Sequence, residues 1–391
     1  MFPRTAALAM GLTWLPLSPA LALEVGVAPA TRKILPDTPF PTETAAYLRA
    51  ARNEWEGVQL VIRADGPLTS VDVTAGDLQH CQLDATLPGD DIRIYREVFL
   101  DIEEPSPISV TYHERVAGRF PDPLVPLRDP HDPGSPAGAP FEVADGDVAV
   151  VFVDVYVPAD AEPALYQGTL TVSADGEDSV AVPLSVTVWP FELPAARSMA
   201  TSYGFSDNQI RKFHGGPDGD PPDDHQQIVD RYIEELHVHR VDRTIVGGSV
   251  EFEFDDDGAL LEVDWGEYDA AVGPYLDGSR FADGVGVNRF NVGRFRPGAG
   301  LGSWTEEQYA QAAAAFAEHL DDNGWWDHAY VYSTDEPWLN GGEATYEQIH
   351  EDAQRLFAAS ELWRGHVLVT SAYYPTVDGD VGIWCPVTPM F

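Results

Sequence analysis

The run Tyr330-Val331-Tyr332-Ser333-Thr334-Asp335-Glu336-Pro337-Trp338 sets two carboxylates side by side at the end of an apolar, aromatic segment. Read as a strand, it stops on charged residues. In a chain of alternating strands and helices, such a stop places those residues at the mouth of an α/β barrel, where catalytic groups sit. Adjacent residues of a straight strand point to opposite faces. Pro337 cannot continue a parallel ladder, so the chain turns at Glu336 and both acids can face the mouth. Two close carboxylates resist carrying two charges, so one is expected to keep its proton near neutral pH. A proton donor beside a charged partner suits cleavage of a glycosidic bond through an oxocarbenium-like transition state. The competing reading is a loop cap beside a solvated acid. Glu103-Glu104-Pro105 is nearly the same string, in a chain with 64 acidic residues. Position in the fold separates the two strings.

The elements around the pair fall into two grammars. From 24 to 195 the chain reads as β-rich, with short apolar or alternating runs at Val58–Ile62, Ile92–Tyr95, Val148–Val157, Leu170–Val172 and Leu184–Val188. Gly and Pro turns separate them and no helical period is sustained, which predicts a β-sandwich. Asp129–Pro140 is a proline-rich loop, and Pro190–Pro194 reads as a linker. Glu103-Glu104 falls in this β-rich half and drops out as a barrel-mouth pair.

From 199 to 391 strands alternate with helices, which implies parallel strands joined by crossover helices. Candidate strands are Ala200–Phe205, Val241–Val246, Phe290–Gly293, the run before Asp335, His366–Thr370 and Val381–Trp384. Asp224–His237 is a predicted helix with Ile228, Tyr232 and Leu236 on one face. Thr305 with Gln308 forms a capping box before a stripe of Tyr309, Ala313, Phe316 and Leu320, and Gly324 ends that helix. Thr345 with Gln348 is predicted to cap the next, with Ile349, Ala353 and Leu356 inward. Phe252–Phe254 and Leu260–Val263 flank Asp255-Asp256-Asp257-Gly258 as an inserted hairpin. That turn faintly resembles a calcium loop but lacks a glutamate at the twelfth position, so a plain turn is expected. The expected whole is a β-sandwich followed by a (β/α)8-type barrel with about six strands present. A complete barrel takes roughly 250 residues, more than remain after Met199, so the last two strands are expected to be missing.

Composition bounds the partners. The formal net charge of −41 repels nucleic acid and anionic membranes. Arg4, an apolar stretch from Thr5 to Ala22 broken by Pro16 and Pro19, and a final Ala20-Leu21-Ala22 read as a cleaved signal peptide over 1–22. That predicts a secreted or periplasmic protein without stable membrane insertion after cleavage. Cys81 and Cys385, in different halves, make neither a disulfide framework nor a metal site. No HExxH, Walker loop, GxSxG or dinucleotide fingerprint occurs, and no cofactor or metal is expected.

The sequence resembles glycoside hydrolase family 123. The resemblance runs through Asn53-Glu54-Trp55-Glu56-Gly57-Val58-Gln59-Leu60-Val61-Ile62, Pro121–Pro126, Val153–Pro158 and Tyr166-Gln167-Gly168 in the first half. In the second it runs through His239-Arg240, Asp335-Glu336-Pro337 and Ile383-Trp384-Cys385-Pro386. It implies a β-sandwich and a (β/α)8 catalytic barrel acting on terminal β-linked N-acetylgalactosamine in a glycan or glycoconjugate, with retention by substrate-assisted catalysis. On that resemblance Glu336 is the general acid/base, and Asp335 orients the 2-acetamido group as its carbonyl attacks the anomeric carbon. The resemblance also implies a chain continuing past Trp384. Further candidates are Tyr373 or Tyr374 as a hydrogen-bond donor to the acetamide and Trp338 and Trp384 as sugar-stacking faces. Asn291 could bind hydroxyls, and His239 and Arg240 could bind substrate; packing roles compete for all of these. A non-catalytic carbohydrate-binding or cell-surface protein on the same scaffold, or an inert structural one, is the alternative to an enzyme.

Overall fold

Period-two alternation of β-branched residues builds the first of two units, Met1–Pro194; the second is Ala195–Phe391. The computed structural model describes residues 23–104, 117–132, 137–216, 220–243, 248–293, 295 and 304–386. The signal-peptide reading (1–22), part of the proline-rich loop (133–136) and the second half of the strand expected at 241–246 (244–246) lie outside the described residues.

The first unit runs through β1 (Leu23–Pro29), β2 (Ala46–Arg52), β3 (Glu54–Ala64), β4 (Leu68–Ala75), β5 (Leu78–His80) and β6 (Thr86–Leu87). It continues with β7 (Ile92–Ile102), β8 (Gly118–Pro126), β9 (Phe141–Val143), β10 (Val148–Val157), β11 (Leu165–Ser173) and β12 (Val180–Glu192). One sheet has five strands in the order β1-β3-β10-β7-β8. The other has seven, with β2-β12-β11-β4-β9 as its path and β5 and β6 attached through β11. Val153 and Val155 of β10 and Val182, Leu184 and Val186 of β12 alternate into one shared apolar core, so the sheets form a sandwich. The segment expected as a linker from Pro190 differs: it continues β12, with Glu192 opposite Arg52. Pairing with β11 ends at Thr187, so Pro190 removes a donor from a strand paired on one side only. Glu103 and Glu104 are exposed just past β7.

The second unit holds α1 (Asp207–His214), α2 (His225–Val238), the hairpin β13 (Glu251–Phe254) and β14 (Leu260–Asp264), and α3 (Gly266–Leu276). Then follow β15 (Phe290–Asn291), α4 (Glu306–Asp322), β16 (Ala329–Tyr332), α5 (Glu343–Ala359), β17 (Val367–Val369) and β18 (Ile383–Trp384). The last four strands form one sheet in sequence order, every neighbour parallel. Of the two earlier strands, the described residues show one parallel bridge between Tyr203 and Arg243.

Helices α4 and α5 cover one face of the sheet. Phe316 and Leu320 of α4 and Ile349, Ala353 and Leu356 of α5 meet Val331, Val367 and Val369 in a common core. Trp363 is fully buried there and donates its indole N–H to the Ala313 carbonyl at 3.1 Å. The capping box of α4 is present: Gln308 N donates to Thr305 Oγ1, and Thr305 N donates to the Gln308 side chain. Helix α5 starts two residues before the expected cap. Gly342, at φ 64°, precedes it and Thr345 lies inside, donating its hydroxyl to the Asn340 carbonyl at 3.3 Å. In α2 the buried positions are Val229, Ile233 and His237, one residue beyond the expected stripe. Tyr232 stays at the surface against Phe205 and His214, while His237 goes inward because Arg197 and Asp283 satisfy its ring nitrogens. The acidic turn of the hairpin is a plain one, since Asp255 Oδ1 accepts from the amides of Asp257 and Ala259.

Candidate active site

Strand β16 presents two faces. Val331 enters the helix-covered core, while Tyr330 and Tyr332 share the other face. On that face the Tyr330 hydroxyl meets Ser202 Oγ at 2.5 Å, tying β16 to the segment before Tyr203. The ladder continues one residue past the strand, with Ser333 N donating to the Leu368 carbonyl at 2.9 Å. The chain then turns, so the strand ends at Tyr332 rather than running to Asp335 as expected.

The turn is tight and braced. Glu336 has φ 41°, a left-handed conformation that costs a non-glycine residue about 1–2 kcal/mol. Its carbonyl accepts from Leu339 N at 2.9 Å and Asn340 N at 3.1 Å, and Asn340 Nδ2 donates to the Asp335 carbonyl at 2.6 Å. Pro337 is buried behind the turn. Strain of this kind persists only where the surroundings over-determine it.

The Asp335 carboxylate receives two hydroxyls on one oxygen. Tyr332 Oη and Thr370 Oγ1 each donate to Oδ1 at 2.7 Å. These donors hold the Asp335 carboxyl below its ordinary range, Tyr332 contributing most and Thr370 next. Tyr332 keeps its own proton: burial first, and the Asp335 charge with it, push its phenol up to about 12. Oδ2 takes no hydrogen bond among the described residues. The Glu336 carboxyl likewise has no hydrogen-bond partner among them. The two acids therefore differ in kind: one carboxylate is held by two hydroxyls, and the other takes no hydrogen bond among the described residues.

The other candidates separate into two groups. Trp338 and Tyr373 are both 59% exposed at the same strand ends as Asp335 and Glu336. Tyr373 packs against the half-buried Trp384 with ring centroids 5.5 Å apart. Tyr374 lies nearby but is committed to packing: it stacks on Tyr346 at 3.9 Å, and its hydroxyl donates to the Glu343 carboxylate. Asn291 serves the loop after β15, its Oδ1 accepting from Gly293 N at 2.9 Å. His239 and Arg240 are not brought to the acids. They leave α2 just before the Arg243 bridge, at the N-terminal end of the parallel strands, whereas Asp335 and Glu336 sit at the C-terminal end. Asp242 marks the level, since its Oδ2 accepts from Asn288 N, two residues ahead of β15. His239 is exposed and its Nδ1 lies 2.8 Å from the Glu235 carbonyl.

Sequence reasoning missed Tyr332 and Thr370. Both stand at strand ends, and a hydroxyl three residues before an acid was visible in the sequence. Their convergence was not, because it depends on the register between β16 and β17, which sets Tyr332 opposite Leu368.

No protein-family model matches the chain, and no curated protein matches it. Among solved structures it is similar to a family 123 glycoside hydrolase from Clostridium perfringens, described for glycolipid glycan hydrolysis. The two share 15% identity with a TM-score of 0.57, over 92% of this chain and 66% of that one. The chain thus spans just under two thirds of that structure's length. A Bacteroides ovatus GH5 xyloglucanase in complex with a XXXG heptasaccharide is far less similar, at 11% identity and TM-score 0.25, over 93% of this chain and 70% of that one. The first likeness is one of fold: a multi-domain, β-rich, glycoside-hydrolase-type architecture.

Proposed function

We propose that the chain is a glycoside hydrolase that releases terminal β-linked N-acetylhexosamine, N-acetylgalactosamine in particular, by retaining, substrate-assisted catalysis. The carrying observation is the unequal treatment of the two adjacent acids. A substrate-assisted mechanism needs one carboxylate that stays charged and one acid that exchanges a proton. Asp335, with two hydroxyls on Oδ1, suits the charged role. Its unshared Oδ2 accepts the N–H of the 2-acetamido group and turns the acetamide carbonyl toward the anomeric carbon. Glu336 gives its proton to the glycosidic oxygen as the C–O bond breaks and the carbonyl oxygen bonds to the anomeric carbon. In the second half-reaction Glu336 takes a proton from water as the water oxygen opens the cyclic intermediate, so the configuration is retained. Trp338 and Tyr373 offer exposed aromatic faces to the sugar.

In this reading the parallel sheet belongs to a (β/α)8-type barrel, and the protein is exported to a secreted or periplasmic setting where it meets glycans. Among the described residues no helix is long and apolar enough to cross a membrane. The test is hydrolysis of an aryl β-N-acetylgalactosaminide beside the matched aryl β-galactoside. Turnover of the first alone is expected, and Glu336→Gln should lower it by about 10²–10⁴-fold while leaving binding intact. Equal turnover of both substrates would exclude substrate assistance. Sugar binding without turnover by the wild-type protein would replace the enzyme with a carbohydrate-binding protein.

A further inference from the structure

We propose that Thr370 is a positioning residue whose single hydroxyl ties the Asp335 carboxylate to the backbone that carries Glu336. The inference rests on the glycosidase reading for its kinetic consequence, but its geometry is independent of that reading. Thr370 follows β17, on the strand next to the one that carries the acids. Its Oγ1 accepts from the backbone N–H of Glu336 at 2.7 Å and donates to Asp335 Oδ1 at 2.7 Å. Tyr332 Oη is 3.3 Å from Thr370 Oγ1. Each hydroxyl has one proton, and the shorter contacts to Asp335 claim both. Thr370 is therefore an acceptor toward Glu336 and a donor toward Asp335.

Those two bonds act on different problems. The bond to Glu336 N holds a residue in a left-handed conformation it would otherwise leave. The bond to Asp335 fixes which oxygen is occupied and which is open. Because both meet at one atom, a shift of Thr370 moves the acid and its charged partner together. Misplacement of about 1 Å at a reacting group is enough to cost about 10²-fold in rate. The titratable group in contact with Asp335 is Tyr332 from β16, which in turn feels Cys385 after β18; Glu336 is its neighbour in sequence. The turn after β17 contributes the non-titrating Thr370, and no cation forms an ion pair with Asp335 among the described residues. Loss of the Thr370 donor leaves Tyr332 as the remaining donor to Asp335 Oδ1 and raises the pH at which Asp335 ionises.

The experiment compares Thr370→Val, which keeps the shape, with Thr370→Ser, which keeps the hydroxyl, in the full chain. On the aryl β-N-acetylgalactosaminide, Thr370→Val should lower kcat by about 10–100-fold with KM changed by less than about threefold. Its acid limb should move to higher pH, and Thr370→Ser should recover kcat to within about threefold. A Thr370→Val protein with wild-type kcat and acid limb overturns the proposal. So does a Thr370→Ser protein as impaired as Thr370→Val, since the methyl group rather than the hydroxyl would then matter. If Thr370→Val does not fold, Thr370→Ala gives the same readouts. If the wild type turns over no substrate, the glycosidase reading fails, and the positioning claim is still decided by carbon-13 NMR titration of the Asp335 carboxyl. A higher midpoint without the hydroxyl supports it; an unchanged midpoint overturns it.

Discussion

Asp335 and Glu336 are neighbours in sequence and opposites in environment. Asp335 has its charge secured by Tyr332 and Thr370, whereas Glu336 has a strained backbone and an unheld carboxyl. In the proposed mechanism the pair is a charged orienter beside a proton carrier, and exchanging those roles would require both hydroxyl donors to move. Asp335→Asn removes the charge while keeping the size. It should lower kcat on an N-acetylhexosaminide by about 10²–10³-fold. The sign with pH follows from the two hydroxyl donors: they lower the folded-state pKa, so the wild-type acid limb set by Asp335 lies below the ordinary value of about 4. In Asp335→Asn that limb should disappear. A pH–rate profile that keeps it would assign it to another group.

At the scale of elements, the parallel sheet and its two covering helices carry the acids, and local chemistry fixes where those helices begin. The Thr305–Gln308 capping box satisfies two backbone donors at the start of α4. Thr305→Ala should destabilise the second unit by about 1 kcal/mol, measured as a lower midpoint in chemical denaturation. An unchanged midpoint would mean that packing of Tyr309, Phe316 and Leu320 sets the helix start without the cap. This box, the hairpin around Asp255 and the stripe of α4 were legible because each is decided within a few residues. The stripe of α2 was not. His237 scores as polar in any periodicity argument, yet it is buried because Arg197, far earlier in the chain, supplies its partner. Helix α5 misled for a similar reason, since Gly342 in a left-handed conformation starts it ahead of Thr345. The site followed the same rule. Asp335 and Glu336 were visible from Pro337 and the preceding apolar run, while Thr370 required the register of β17 against β16. The placing of His239 and Arg240 away from the acids required knowing which end of the strands α2 leads into.

Across the whole molecule the dominant quantity is charge. A formal net charge of −41 spreads repulsion over both units, and the ion pairs of Arg119, Arg128 and Arg355 offset only part of it. Raising salt from about 0.01 M to about 1 M shortens the screening length from about 30 Å to about 3 Å. The melting temperature should rise over that range, as followed by calorimetry in sodium chloride. A flat or falling melting temperature would show that the acids are already accommodated by local contacts. On the proposed function the substrate is a neutral N-acetylhexosaminide, so its association should depend little on ionic strength.

The left-handed backbone at Glu336 carries a consequence for descent. Asparagine tolerates that conformation far better than glutamate does. Glu336→Asn should therefore give a protein that melts a few degrees higher, about 2–4 °C per kcal/mol regained, and no longer turns over substrate. A melting point equal to or below that of the wild type would show that the bracing by Thr370 and Asn340 removes the penalty. If the gain is real, a lineage released from selection for turnover drifts toward asparagine or glycine at this position. The residue found there in any descendant then reports whether that descendant is still held to catalysis.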